Sequence, residues 1–160
     1  MKKKVSESYT EQVQILTGAN MNGFGRLFGG QLMCWIDIVA AVTARRHSQC
    51  NVTTVLVDSL EFKHPARAND TLVITGHITY VGGTSMEVCV NTYIEYNDLS
   101  RKLINRAYVV MVALDKFDRP TKVPGLILSN RREKDAWNEA LQRKKNRSRL
   151  LYTQNDAPCS

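Results

Sequence analysis

Asp37 is the only charged residue between Gln31 and Ala44, in a stretch, QLMCWIDIVAAVTA, that is apolar nearly all round. A helix made from these residues is expected to be covered on most sides. An ionised carboxylate there is costly unless it is hydrogen-bonded or wet. Two readings fit. The acid could satisfy itself by a hydrogen bond across a subunit interface, or it could be a base that activates water. The residues before it favour chemistry, because Gly18, Gly23, Gly25, Gly29 and Gly30 crowd into thirteen positions. A helix that starts at about Gly29 or Gly30 turns its first free amides, and the positive end of its dipole, toward a ligand. That is an anion-stabilising place for a carbonyl oxygen. A base at Asp37 also needs a polar partner, and Asn22 is the best candidate upstream.

The other ionisable residues offer less. His47 sits at a helix end, His64 before Pro65 at a strand end, and His77 on the polar face of a strand. None has a carboxylate or nucleophile at a telling spacing, so all three read as structural or surface residues. Glu61, Glu87 and Glu95 fit solvated strand faces, and no carboxylate pair suggests glycoside cleavage. Cys34, Cys50, Cys89 and Cys159 show no C-x-x-C or Cys/His metal spacing. They read as reduced thiols of a cytoplasmic protein, with no metal site. The nucleophile elbow, the Walker loop and H-E-x-x-H are missing, and the glycines do not fit a dinucleotide fingerprint.

These residues must be positioned by a chain of 160 residues, 43% apolar and 23% charged, which suits one globular domain. Tyr9 to Leu16 alternate weakly and could form an edge strand. The helix should stop at Arg45, Arg46 and His47. The period then changes to two, which predicts strands over 53–63, 71–81, 86–96 and 103–114. The second and third are joined by a hairpin at Gly82 to Ser85, and the fourth is apolar on both faces at its end, as a central strand should be. A linker over 117–129 precedes a second helix. Asn130 is its expected N-cap with Glu133 three residues on, Trp137, Ala140 and Leu141 lie on one side, and dense positive charge lies on the other. From Ser148 a mobile tail is expected.

The fold class is therefore α+β, a long helix enclosed by an antiparallel sheet whose edges need covering. At least a dimer is expected. Much of the formal charge of +7 lies in Arg131-Arg132 and Arg143 to Arg149, which reads as a solvated terminal face. No basic stretch is interleaved with aromatics, so nucleic acid is not expected as a partner. The N-terminus MKKKVSESYTEQ reads as neither signal peptide nor anchor, and the apolar run is too short to span a bilayer.

At this point the string Asn22-x-x-Gly25-x-x-Phe28-Gly29-Gly30, then Leu32-Met33, then Asp37 seven residues after the second glycine, resembles the signature of the hotdog-fold acyl-CoA thioesterases, in their acyl-CoA hydrolase branch. The likeness continues at Ala44, Arg46 and His47, at Phe62-x-x-Pro65 and at Gly83-Thr84-Ser85, and covers about residues 10 to 116. It implies a single hotdog domain with a core over about 8–116 and a basic C-terminal helix and tail over 130–160. It implies hydrolysis of acyl-CoA to free acid and coenzyme A. Asp37 would act on water or attack the thioester itself, Asn22 would face an Asp37 of the other protomer, and the amides at Gly29 and Gly30 would hold the thioester oxygen. Gly83, Thr84 and Ser85 would lie near the pantetheine or phosphates of coenzyme A. No cofactor or metal is implied, since coenzyme A is part of the substrate, and the assembly would be a homodimer or a dimer-based oligomer such as a trimer of dimers. The alternatives are a non-catalytic acyl-CoA-binding or sensing protein on the same fold, and a hotdog hydratase. A hydratase would need a histidine placed with its acid, and His64 and His77 show no such pattern.

Overall fold

The computed structural model describes residues 1–155, with side chains as far as Leu150. The period-two stretches become four long strands, β3 (Asn51–Phe62), β4 (Thr71–Val81), β5 (Ser85–Glu95) and β6 (Arg101–Leu114). With β2 (Thr10–Ile15) they form one antiparallel sheet in the order β2-β4-β5-β6-β3, so the doubly apolar β6 is interior and β2 and β3 are the edges. Helix α1 (Gly29–Ser48) lies across one face. Leu32, Ile36, Val39 and Ala40 join Ile74, Val88, Val109 and Met111 in the buried cluster between them. The contact is closest at β4. A Cβ on Gly76 would lie 2.5 Å from Thr43 Oγ1 and 2.8 Å from Val39 Cγ1, so the helix rests on bare backbone there. This is the hotdog arrangement that the resemblance implies.

The sequence suggested a helix covered on most sides, and the single chain does not provide that cover. Met33, Cys34, Asp37 and Ile38 are exposed along one flank of α1. The neighbouring edge strand β3 exposes Val55, Val57 and Phe62. At its far end the helix stops as expected, with Gln49 in the left-handed region at φ 58° and its amide donating to Arg45 O.

Two short strands were hidden. Lys2–Lys4 forms β1 and pairs in parallel with β7 (Gly125–Ile127), which lies inside the stretch expected to be a linker. The strap fastens the end of α1. Lys3 Nζ donates to Arg46 O at 2.8 Å, and Arg46 Nη1 donates to Tyr9 O at 2.6 Å.

The second helix, α2 (Arg131–Asn155), begins as expected, with the Glu133 amide donating to Asn130 Oδ1 at 3.0 Å. It does not give way to a tail at Ser148. The helix continues through Asn155, and the remainder, including Cys159, lies outside the described residues. Its basic side is not simply a solvated face either. Arg143 Nη2 donates to Glu87 Oε1 at 2.8 Å, and Arg147 Nη1 donates to Asp58 Oδ2 at 2.6 Å. Glu87, which alternation placed on a solvated face, is 2% exposed and also accepts from Thr79 Oγ1 at 2.7 Å. Burial alone would lower the Arg143 guanidinium, but the Glu87 carboxylate outweighs it and holds it above its usual range. Trp137 packs on Tyr80 with ring centroids 4.5 Å apart, and the Arg143 guanidinium lies 3.6 Å from the centroid of the Tyr108 ring.

Under the same helix, burial pushes the Cys89 thiol up to about 11, so it stays protonated. Cys34, Cys50 and Cys89 are free. Among the described residues no helix is long and apolar enough to cross a membrane, and no group of three or more metal-binding side chains converges.

Candidate active site

Asp37 projects from the open flank of α1 toward β3, where Thr54 Oγ1 donates to its Oδ1 at 2.5 Å. The same hydroxyl lies 3.3 Å from Met111 Sδ. The carboxylate is thus both hydrogen-bonded and exposed, which relieves the cost that a buried acid would carry. Thr54 was missed in the sequence. Nothing in the strand pattern separates it from Thr53, and only the position of β3 against α1 picks it out. Asp37 also lines a pocket of about 200 Å³ with Met33, Ile36, Val57, Leu60 and Val109.

The start of α1 is built for close approach. Phe28 is the N-cap residue with extended backbone and no side-chain cap. The Gln31 and Leu32 amides both donate to Phe28 O, whereas the Gly29 and Gly30 amides find no acceptor among the described residues. The Phe28 ring covers Gly30 so closely that a Cβ there would sit 2.7 Å from Phe28 Cε1.

Asn22 stands elsewhere. Its Oδ1 accepts from the Phe24 and Arg26 amides at 2.9 and 3.2 Å, which closes the glycine-rich turn. It lines a cleft of about 310 Å³ with Arg26, Lys63 and His64 among others, near the Phe62 end of β3. This cleft shares no lining residue with the pocket at Asp37. Along β3, Thr54 and Phe62 are about 26 Å apart. One chain therefore does not bring its own Asn22 and Asp37 together.

Gly83, Thr84 and Ser85 form the turn between β4 and β5, closed by the Gly82 amide on Ser85 O at 2.8 Å. Ser85 pairs with Val112, which pairs with Thr53, so this turn lies at the Thr54 end of the sheet, two strands away from β3. Of the three histidines none meets Asp37. His47 is fully buried with Nε2 against Pro124 O at 2.9 Å, and burial lowers it, as burial also lowers His77 beneath α2. His64 is exposed in the cleft at Asn22.

Residues 24–99 match the model of the thioesterase superfamily. The chain is 35% identical over 132 residues to an uncharacterized acyl-CoA thioester hydrolase of Bacillus subtilis, across 80% of this chain and 77% of that protein. Among solved structures, the acyl-CoA hydrolase of Staphylococcus aureus, in complex with butyryl coenzyme A, coenzyme A and coenzyme A disulfide, superposes with a TM-score of 0.90 at 31% identity, over 97% of this chain and 96% of that one. Variants of that enzyme with one aspartate, one threonine or one asparagine changed to alanine have the same fold. A hexameric acyl-CoA thioesterase in its apo form matches with a TM-score of 0.90 at 33% identity, over 94% of this chain and 97% of that one. With the glycine-rich start of α1, the carboxylate two turns along it and the sheet that the helix lies across, the chain belongs to the acyl-CoA thioester hydrolases of the thioesterase superfamily.

Proposed function

We propose that this protein hydrolyses acyl-CoA to the free acid and coenzyme A in the cytoplasm, at sites shared between two copies of the chain. The observation that carries the reading is Asp37, exposed on an apolar pocket and oriented by Thr54. In the base route a water oxygen attacks the thioester carbonyl as Asp37 takes its proton. The Gly29 and Gly30 amides that stabilise the oxyanion come from the other copy, since in one chain they lie about 11 Å along α1 from Asp37; the C–S bond breaks, and the thiolate takes the proton back from Asp37. The same position serves direct attack by Asp37, in which the C–S bond breaks, the coenzyme A thiolate leaves and a mixed anhydride forms, which water then opens to the free acid and the restored carboxylate. Neither route needs a metal or a cofactor, because the carboxylate accepts the proton and the amides hold the oxygen. Gly83, Thr84 and Ser85 are our candidates for contact with the coenzyme A arm. The free cysteines fit a reducing compartment.

Two arguments support the residue assignments. The aspartate, threonine and asparagine changed in the Staphylococcus aureus variants are separated in sequence by the same intervals as Asn22, Asp37 and Thr54. Second, β3 is an open edge with exposed apolar side chains. Antiparallel pairing of two β3 edges about their centre brings the Phe62 end of one chain, with its Asn22 cleft, beside the Thr54 end of the other. Such dimers could assemble further into a trimer of dimers.

The test is complementation. Asp37→Ala and Asn22→Ala should each be inactive alone. Co-expressed, their hybrid dimers should contain one intact composite site, which gives about a quarter of wild-type turnover under statistical mixing. Mixed material as inactive as its parents would show that the two residues act from one chain or not at all. Tight acyl-CoA binding without turnover by the wild type would point to a sensing protein instead.

A further inference from the structure

The pocket at Asp37 has a shape that bears on which substrates fit. Asp37 is its only polar lining residue, and the rest is Met33, Ile36, Val57, Leu60 and Val109. Ile36 and Val109 belong to the core, at 2% and 0% exposure, and Leu60 packs against the same cluster. The end of the pocket is therefore closed by this chain's own interior. The exposed walls, Met33 and Val57, lie at its mouth. A second copy packed along β3 can roof or narrow that mouth, but it cannot deepen the end. Clefts of about 310, 390 and 460 Å³ share no lining residue with this pocket. The last of these lies under α2, beside Glu87 and Arg147. A chain that overruns the pocket finds no continuation there.

We infer that this pocket receives and terminates the acyl chain, so that the protein selects short acyl groups, with Val57 and Leu60 as the residues that set the limit. The inference rests on the reading that Asp37 works at the thioester. A pocket of about 200 Å³ whose end is closed by core side chains has room for an acyl chain of several carbons, on the order of six, and the break in the chain-length profile calibrates that ruler. Up to that length each added methylene buries apolar surface and raises kcat/KM roughly fourfold. Beyond it the chain must bend back to solvent and the gain stops.

The experiment is a profile of kcat/KM over straight-chain acyl-CoAs of two to sixteen carbons, for the wild type, Val57→Phe and Leu60→Ala. The expected wild-type profile climbs to about six carbons and then levels or falls. Val57→Phe narrows the mouth and moves the break to shorter chains. Leu60→Ala opens the end and moves it about two carbons longer. If the wild type keeps gaining through sixteen carbons, or if neither variant moves the break, the inference is wrong while the thioesterase reading stands. If no acyl-CoA is turned over at any length, both fail together.

Discussion

The two faces of the sheet make different demands. Beneath α2, buried Glu87 meets the part-exposed Arg143 and Arg147, and Arg147 also meets Asp58, in a network that closes on itself. Beside α1, Val55, Val57, Phe62, Met33 and Ile38 stand open to solvent. A buried charge is tolerable only when its partners are present in the same fold, and here they are. Exposed apolar edges make the reverse demand, because they are satisfied only by something added. The α2 side is complete in one chain, whereas the side that carries Asp37 is not. In this fold the incomplete side is also the one that carries the proposed site.

The open side depends most on the edge of β3. Val55→Lys places a charge on the exposed strand without touching Asp37 or its pocket. It should reduce the assembly to monomers in a sizing experiment and take turnover to background, while far-UV circular dichroism is retained. Unchanged mass would remove β3 as the interface.

On the closed side, Glu87→Ala removes the acceptor shared by the part-exposed Arg143 and Arg147, Arg147 keeping Asp58, and should cost about 2–3 kcal/mol in denaturant unfolding. Replacing Glu87 and Arg143 together with methionines should recover most of that. If the double variant is as unstable as the single one, the network is not a matched pair of charges.

A smaller effect is expected at Thr54→Val, which keeps shape and removes the donor to Asp37. Turnover should fall about ten- to hundredfold, as for a hydrogen bond to a charged group, with the assembly intact. An unaffected rate would mean that the carboxylate needs no orientation from β3.

The least effect is set by pH. His47 and His77 are held below the usual histidine range, first by burial and then, respectively, by Lys3 and Arg106, while the Pro124 carbonyl and Glu7 oppose the shift at His47 and Glu133 opposes it at His77. A lowered folded-state value means that the unfolded chain binds protons more readily. Stability from these two is fully present above about pH 6.5 and declines as the pH falls toward the folded values. Tm should drop between pH 7 and 5, and His77→Gln should flatten that slope.

The same contrast explains what could be read from the sequence. Strands 71–81 and 103–114 were legible because one face meets α1 and alternation reports it. Helix α1 was legible from its buried stripe, though its open flank was not, since exposed Met33 and Ile38 look like core residues in a string. The docking of α2 was hidden for the opposite reason, because it sets part-exposed arginines over a buried glutamate and so resembles a solvated face. Lys2–Lys4 and Gly125–Ile127 are too short and too distant in sequence for any period to reveal a parallel pair. Asp37, Gly29 and Gly30 could be nominated from their types and spacing. Thr54 could not, because only the fold shows that it faces Asp37.

The bare backbone at Gly76 has a mechanical consequence. With Val39 and Thr43 resting directly on it, α1 is seated at one fixed height above the sheet. The height of the helix beside the pocket at Asp37 therefore depends on a position on β4 that does not line that pocket. One methyl group there would act as a shim, lifting the helix and reshaping the pocket from a distance.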